Sequence, residues 1–419
     1  MSKKSYTVNR RNFIFASGLG ILAVSVPKSV IFGEARGNRV VVVGGGYGGI
    51  TVAKYVKKLV PESEVFLIEK NPMFVSCPLS NHFLVNLIDY GELCFPYNNL
   101  VVKYGVNFVN DEVIDIDLHR REVITSRGKI KYDYLVLSLG IEYDYEENPA
   151  FKEAYWSFPP AFKPGSEHLY LKRILDSFEG ERFVITVPKM PYRCPPAPYE
   201  RAALLLSYIK QEGLKVHLYF IDENDKPPIM TEGFMKAYED FYKEDATYLT
   251  RTKVIEIDPK AKKIKTTKGK IRFDMANFIP PMRAPKLLEK IGIMKKGEKW
   301  VKVDPLTYET KFKNVFVIGD SSETYLPKSG YAAHSEGKVV AKIISSRITN
   351  KPWKGEIVHH AICYAMVNMK QAIMMEVEYK YDLQKKKVKK FVYEDNTWKV
   401  STAKRYYEWA RGLWRDLFT

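Results

Sequence analysis

Residues 39–69 read RVVVVGGGYGGITVAKYVKKLVPESEVFLIE. The order is strand, glycine turn, helix, strand. Val40 to Val43 form an unbroken β-branched run, as expected of a strand covered on both faces. Gly44, Gly46 and Gly49 supply G-x-G-x-x-G. The first glycine permits the tight turn, the second lets backbone approach a pyrophosphate, and the third lets the helix pack close to the strand. The helix N-terminus offers free N–H groups and the positive end of a dipole to phosphates. Val65 to Ile68 form the next strand, and Glu69 ends it, where a carboxylate accepts hydrogen bonds from ribose hydroxyls. Lys70 follows at the same strand end. The stretch predicts a doubly wound α/β dinucleotide-binding domain.

Downstream, Pro72 and Pro78 mark residues 70–81 as a loop, and it carries Cys77. Strands follow at 106–109 and 112–118, where the backbone of Val113 is placed to touch an adenine ring. A hairpin spans 122–132, and a buried strand at 134–139 ends in Gly140. After an amphipathic helix at 168–177, Arg182 to Val187 reads as the first strand of a second nucleotide domain. At that point a pyridine-nucleotide enzyme carries another G-x-G-x-x-G. This chain has PKMPYRCPPAPYER at 188–201. Prolines lack N–H groups and cannot build a phosphate nest. The second domain is therefore expected to keep its architecture, with a helix to Gln211 and a strand at 216–221 ending in Asp222, without binding NAD(P)H. A strand at 276–281 is expected to return to the first domain. The strand at 315–318 closes with Gly319 and Asp320, where FAD proteins contact the ribityl-pyrophosphate, and Gly330 and Tyr331 open a helix whose dipole faces a reduced flavin ring. Residues 351–419 change texture and predict a third, partly antiparallel domain. It ends in a helix with Tyr406, Trp409, Leu413, Trp414 and Leu417 on one apolar face. His359 and His360 have no companion ligand cluster, so no metal is expected.

The chain has 419 residues, room for two or three domains, and a net charge of +17. The first 35 residues hold five basic side chains against one acid and contribute +4. The remaining excess suits a solvated Lys-rich surface or steering of an anionic substrate. No basic stretch interleaved with aromatics suggests a nucleic-acid groove. Residues 1–35 read as a twin-arginine export leader: Arg10 and Arg11, an apolar stretch at 13–26, and small residues around Glu34 before a new N-terminus at Arg36. This predicts a periplasmic protein that folds with its cofactor before export. The mature chain carries no apolar run long enough to span a bilayer.

Cys77, Cys94, Cys194 and Cys363 allow three full pairings. Cys194 comes from the loop that replaces the second phosphate site, and Cys363 from the domain expected to cover the flavin. Such a pair would suit a flavin-linked dithiol/disulfide, in which a thiolate attacks a disulfide sulfur.

Several motifs together carry a resemblance: VVVGGGYGGITVAKY, SCPLSN with Cys77, YRCPPAPYERA with Cys194, VIGD, PKSGYAAHSEGK, and ICYA with Cys363. The chain resembles the flavoprotein subunits of flavocytochrome c sulfide dehydrogenases along its whole length. The resemblance implies two disulfide-reductase-like nucleotide domains, divided as 36–150, 151–275 and 276–350, and a C-terminal α+β interface domain at 351–419. It implies FAD joined through its 8α-methyl to Cys77 and a redox disulfide between Cys194 and Cys363. It also implies a c-type cytochrome partner in a hetero-oligomer. This chain has no C-x-x-C-H, so a haem would belong to the partner. Pro78 follows Cys77 where the family pattern has an aromatic residue, and Cys94 stands as a second candidate thiol.

The expected reaction is attack of hydrosulfide on the disulfide, with Cys363 passing electrons to the flavin and Glu200 as acid/base. One alternative is sulfide:quinone oxidoreduction, with the aromatic C-terminal helix docking on a membrane. The other is a non-catalytic FAD-bearing subunit that binds sulfur carriers.

Overall fold

The computed structural model describes residues 38–353, 355–385 and 387–419. The leader, its arginine pair and its cleavage point lie outside these residues. The chain runs through β1 (Arg39–Val43), α1 (Tyr47–Leu59), β2 (Glu64–Glu69), β3 (Asn107–Asn110) and β4 (Tyr134–Leu137). It continues through β5 (Arg182–Val187), α2 (Ala197–Gln211), β6 (His217–Asp222), β7 (Ala246–Leu249) and β8 (Met275–Phe278). It returns as β9 (Val315–Val317) and α3 (Gly330–Thr349), and finishes with β10 (Glu356–Met366), β11 (Ala372–Asp382), β12 (Lys387–Lys399) and α4 (Val400–Phe418).

β1 is the hub of a five-stranded parallel sheet ordered β9-β4-β1-β2-β3. All five of its residues are buried, because α1 and α3 cover one face and the small antiparallel sheet at 113–131 covers the other. β5 occupies the same place in a second parallel sheet, β7-β6-β5-β8. Each domain carries a small three-stranded antiparallel sheet, at 113–131 and at 254–272. The C-terminal domain is the antiparallel sheet β10-β11-β12 with α4.

The structure moves one boundary. The strand expected to open the return at 276 is β8. It pairs with β5 from Phe183↔Met275 to Thr186↔Phe278 and so completes the second sheet. The crossing back follows it. The 70–81 loop contains a short strand, Met73–Val75, paired antiparallel with Cys94–Pro96. That hairpin sets Val75 opposite Cys94, a long-range pairing invisible to local propensity. Between β6 and β7 the chain forms an α-helix over Thr231–Ala237 followed by a π turn at Tyr238–Tyr242.

The apolar face of α4 does not point outward. Tyr406, Leu413, Trp414 and Leu417 are all buried. Trp414 Nε1 donates to Ser76 Oγ at 3.0 Å, and Phe418 stacks on Phe95 at 4.9 Å. Because α4 packs this face into the first domain, it is not a membrane-docking surface. Among the described residues no helix is long and apolar enough to cross a membrane.

Candidate active site

A cleft of about 990 Å³ opens at the C-terminal ends of the first sheet. Gly44, Gly46, Glu69, Lys70, Val113, Gly140, Gly319, Asp320 and Gly330 all line it. Gly44 sits at φ +102°, and a Cβ there would lie 2.2 Å from the Ser138 carbonyl oxygen. Gly49 is not on the cleft wall; a Cβ there would strike the Gly44 carbonyl, so it seats α1 on the turn. Gly46 is the opposite case. A Cβ on it meets no protein atom within 4 Å, leaving space at the N-terminus of α1 for a ligand. Glu69 Oε2 accepts from Gly45 N at 2.7 Å, and Oε1 from Asn71 N at 2.8 Å, which fixes the carboxylate at the cleft edge.

Asp320 Oδ1 is buried and has no hydrogen-bond partner, while Oδ2 faces Arg193 Nε at 3.3 Å. A buried carboxylate oxygen left bare costs about 1–3 kcal/mol or more, and a hydroxyl-bearing ribityl chain would supply the missing donor. α3 begins at the same wall with Ser329 as its cap and no acidic residue in its first turn, so its positive end meets the cleft unopposed. Bare acceptor, open glycine and two helix N-termini fit FAD. Gly44→Ala is expected to abolish FAD retention, read as the flavin-to-protein absorbance ratio of purified protein. Full retention would contradict this reading of the turn.

A second cavity of about 60 Å³ adjoins the first. Arg193, Ser329 and Gly330 line both. It gathers Cys77, Cys194 and Cys363 with Glu200 and Tyr331. Tyr331 therefore belongs to this cavity and not to the dinucleotide cleft; its hydroxyl meets His360 Nδ1 at 3.2 Å. Cys94 lies apart from the other thiols, in the cleft wall, with its thiol donating to the Tyr90 carbonyl at 3.4 Å. All four cysteines are unpaired in this structure.

Each thiol is held by a different element. Cys194 adopts φ +54° in the turn before α2, anchored by its N–H to the Lys328 carbonyl at 2.7 Å. Cys363 lies in β10, and its thiol is hydrogen-bonded with Ser329. Burial raises the Cys194 thiol well above its ordinary range, and the sulfurs of Cys77 and Cys363 add to this. Burial pushes Cys363 up to about 12. Glu200 lines the same cavity as both thiols. Its Oε1 accepts from Met366 N at 3.0 Å and its Oε2 from Asn81 Nδ2 at 2.8 Å. Burial pushes its carboxyl up to about 7, against those hydrogen bonds and the charge of Arg201.

Arg193, adjacent in sequence to Cys194, escaped the sequence reading. Its Nη2 donates to Cys77 Sγ at 3.2 Å. Burial works against its charge, but Cys77 and Asp320 outweigh burial, and the guanidinium stays positive. It is the cation between the two cavities. The signal available in sequence was a lone arginine inside a proline loop, which without topology reads as surface. His168 was missed for a similar reason: it belongs to the amphipathic helix, whose buried face gave no hint of a cavity.

At the matching end of the second sheet the strand-ending acid is engaged by the protein itself. Asp222 ends β6, where a ribose-binding acid would stand, but its Oδ2 accepts from Tyr199 at 2.6 Å and Tyr248 at 2.7 Å. Its Oδ1 accepts from Asn224 N and Nδ2, each at 2.8 Å. His359 and His360 are engaged with Tyr308 and Glu376.

Residues 38–157 match the family model described as pyridine nucleotide-disulphide oxidoreductase. Residues 168–280 match the central domain of the sulfide dehydrogenase (flavocytochrome c) flavoprotein chain. The mitochondrial sulfide:quinone oxidoreductase of Mus musculus is 25% identical over 81% of this chain and 78% of its own. The sulfide-quinone reductase of Aquifex aeolicus is 25% identical over 78% of this chain and 80% of its own. The crystal structure of the sulfide:quinone oxidoreductase from Aquifex aeolicus superposes with a TM-score of 0.70 at 21% identity, covering 91% of each chain. Sheet order, glycine cradle and these matches give the chain the fold of the FAD-dependent pyridine nucleotide-disulphide oxidoreductases.

Proposed function

We propose that the chain is a flavin-dependent oxidoreductase that oxidises hydrosulfide at the Cys194/Cys363 pair. The observation that carries this reading is the cavity that gathers three cysteine sulfurs, a cation and a carboxyl against the dinucleotide cleft. The names of the relatives agree with it. In the disulfide form of the pair, the hydrosulfide sulfur bonds to Cys194, the Cys194–Cys363 bond breaks, and Cys363 leaves as thiolate. Cys194 then carries a persulfide. The positive Arg193 favours entry of the anion and steadies the thiolate. Glu200 takes the hydrogen as a general base. A second hydrosulfide takes the outer sulfur away as HSS⁻ and leaves Cys194 as a thiol, and bound FAD would supply the two-electron acceptor for return of the Cys194/Cys363 dithiol to the disulfide. Gly44, Gly46, Glu69, Asp320 and the α3 N-terminus would hold it.

For the final electron acceptor, the relatives favour a quinone, since the Mus musculus and Aquifex aeolicus chains, which match across most of the length, carry quinone in their names. This shifts the weight away from the cytochrome expected from the sequence. A c-type cytochrome subunit in a periplasmic hetero-oligomer is the second reading, favoured by the central-domain match at 168–280. Rapid reoxidation of the sulfide-reduced protein by a soluble quinone, with slow reoxidation by cytochrome c, is the expected result. The reverse would establish the cytochrome reading.

Covalent attachment of FAD through Cys77 is part of the proposal. It is supported by Cys77 lining the thiol cavity with its Sγ 3.2 Å from Nη2 of Arg193, a residue that lines both cavities. After acid denaturation the flavin is expected to remain on the Cys77 peptide in a mass spectrum. Complete release would withdraw the thioether.

A further inference from the structure

The motif that carries Cys77 ends in Asn81, which the reaction above does not use. Asn81 lies in the short helix Ser80–Leu84 and is 4% exposed. Its Oδ1 accepts from Arg201 Nε at 2.9 Å. Its Nδ2 donates to Glu200 Oε2 at 2.8 Å and to the Ala197 carbonyl at 3.1 Å. One side chain thus ties the loop of Cys77 to the first turn of α2, which carries Glu200. The partners themselves fix which way the amide faces. A guanidinium only donates, so it meets the oxygen; a main-chain carbonyl only accepts, so it meets the NH₂. Turning the amide over would set donor against donor and acceptor against acceptor.

Arg201 is fixed in its turn. It is buried, and its terminal nitrogens donate to Asn277 Oδ1 at 2.7 Å and to the carbonyls of Pro160 and Ala161 at 2.8 and 2.7 Å. Glu200 Oε2 therefore always meets a hydrogen. Oε1 meets another, from Met366 N in β10 at 3.0 Å. Donors aimed at a carboxyl favour its ionised form, and burial works against them. The titratable groups that face Glu200 are Arg201 on α2, Cys194 in the turn before it, and Tyr406 and Tyr407 on α4. Burial keeps Cys194, Tyr406 and Tyr407 protonated, and Arg201 stays positive although burial lowers it to about 10.

We propose that Asn81 is a positioning residue for the reaction: locked by Arg201, its NH₂ group holds the Glu200 carboxylate in the orientation that takes the hydrogen of hydrosulfide. The inference rests on the hydrosulfide reading above, with Glu200 as its base, and adds how that base is held.

The test uses the flavin-loaded protein, mixed anaerobically with saturating hydrosulfide at a series of pH values while the flavin band is followed. Ionisation of the substrate is common to every variant and cancels in the comparison. Asn81→Asp keeps the shape and the contact with Arg201 but replaces the donor by a second carboxyl. Arg201 touches position 81 directly, so a proton shared by the two carboxyls settles on Glu200. The rise of the limiting rate with pH should move up by about one unit or more, with the rate recovering above it. Asn81→Leu removes the donor without adding charge and should move the rise upward by less. The aspartate variant preserves the Arg201 partner and carries the test alone if the leucine variant fails to fold. A merely structural role would lower the rate by one factor at every pH and leave the midpoint where the wild type has it. That result in Asn81→Asp overturns the proposal, and so does a downward shift in either variant. A wild type that hydrosulfide does not bleach overturns the functional reading and this inference together; a bleached wild type whose midpoint Asn81→Asp shares overturns only this one.

Discussion

Cys194→Ser and Cys363→Ser should each cut the rate of flavin bleaching by hydrosulfide by a factor on the order of 10³ or more, with FAD content unchanged. The hydroxyl is close in shape to the thiol but cannot form the S–S bond that hydrosulfide must break. Neither cysteine lines the dinucleotide cleft, so cofactor retention does not depend on them. Dithionite, which needs no thiol, should still bleach both variants. Because the two sulfurs act as a unit, the double variant should be little worse than either single one. Bleaching by hydrosulfide at the wild-type rate in either variant would remove the pair from the mechanism.

Glu200→Gln is expected to lower the limiting rate about 10²-fold and to erase a limb of the pH profile. The carboxyl is pushed up to about 7 by burial. Below that pH it is protonated and cannot take the hydrogen; above it the carboxylate can. Wild-type activity should therefore rise with pH through about 7 and level off. In the glutamine variant that rise disappears, because the amide is never a base. The introduced amide oxygen can still accept from Met366 N, but the amide NH₂ would meet the Asn81 amide donor unless one of the two groups turns over. A modest drop in thermal midpoint is the expected side effect. A variant that keeps the wild-type rise near pH 7 would transfer the base to another group.

The first nucleotide domain was legible because its signals are local. Four valines, three spaced glycines and a strand-ending acid each constrain their own backbone, and together they predict the cleft that contains Gly44, Gly46, Glu69 and Asp320. The absence of a second phosphate loop was legible for the same reason, since proline cannot present N–H groups. The strand-ending Asp222 accepts from Tyr199 and Tyr248 within the protein. What sequence could not give was anything decided by distant packing. The pairing of Met73–Val75 with Cys94–Pro96 depends on strands about twenty residues apart in the chain. The assignment of β8 to the second sheet depends on a contact with β5. The aromatic face of α4 reads equally well as a membrane surface or a core face until the first domain is seen to cover it. Arg193 and His168 become site residues only because the proline loop and the helix Ser166–Asp176 meet at the same small cavity.

The central claim is that hydrosulfide, and no pyridine nucleotide, delivers electrons through the cavity thiols. The most direct measurement is an anaerobic titration of the flavin band in purified, flavin-loaded protein with hydrosulfide and, in a parallel cuvette, with NADH. Complete bleaching by hydrosulfide and an unaltered band with NADH are the expected results. Bleaching by NADH, or a band indifferent to hydrosulfide, would contradict it.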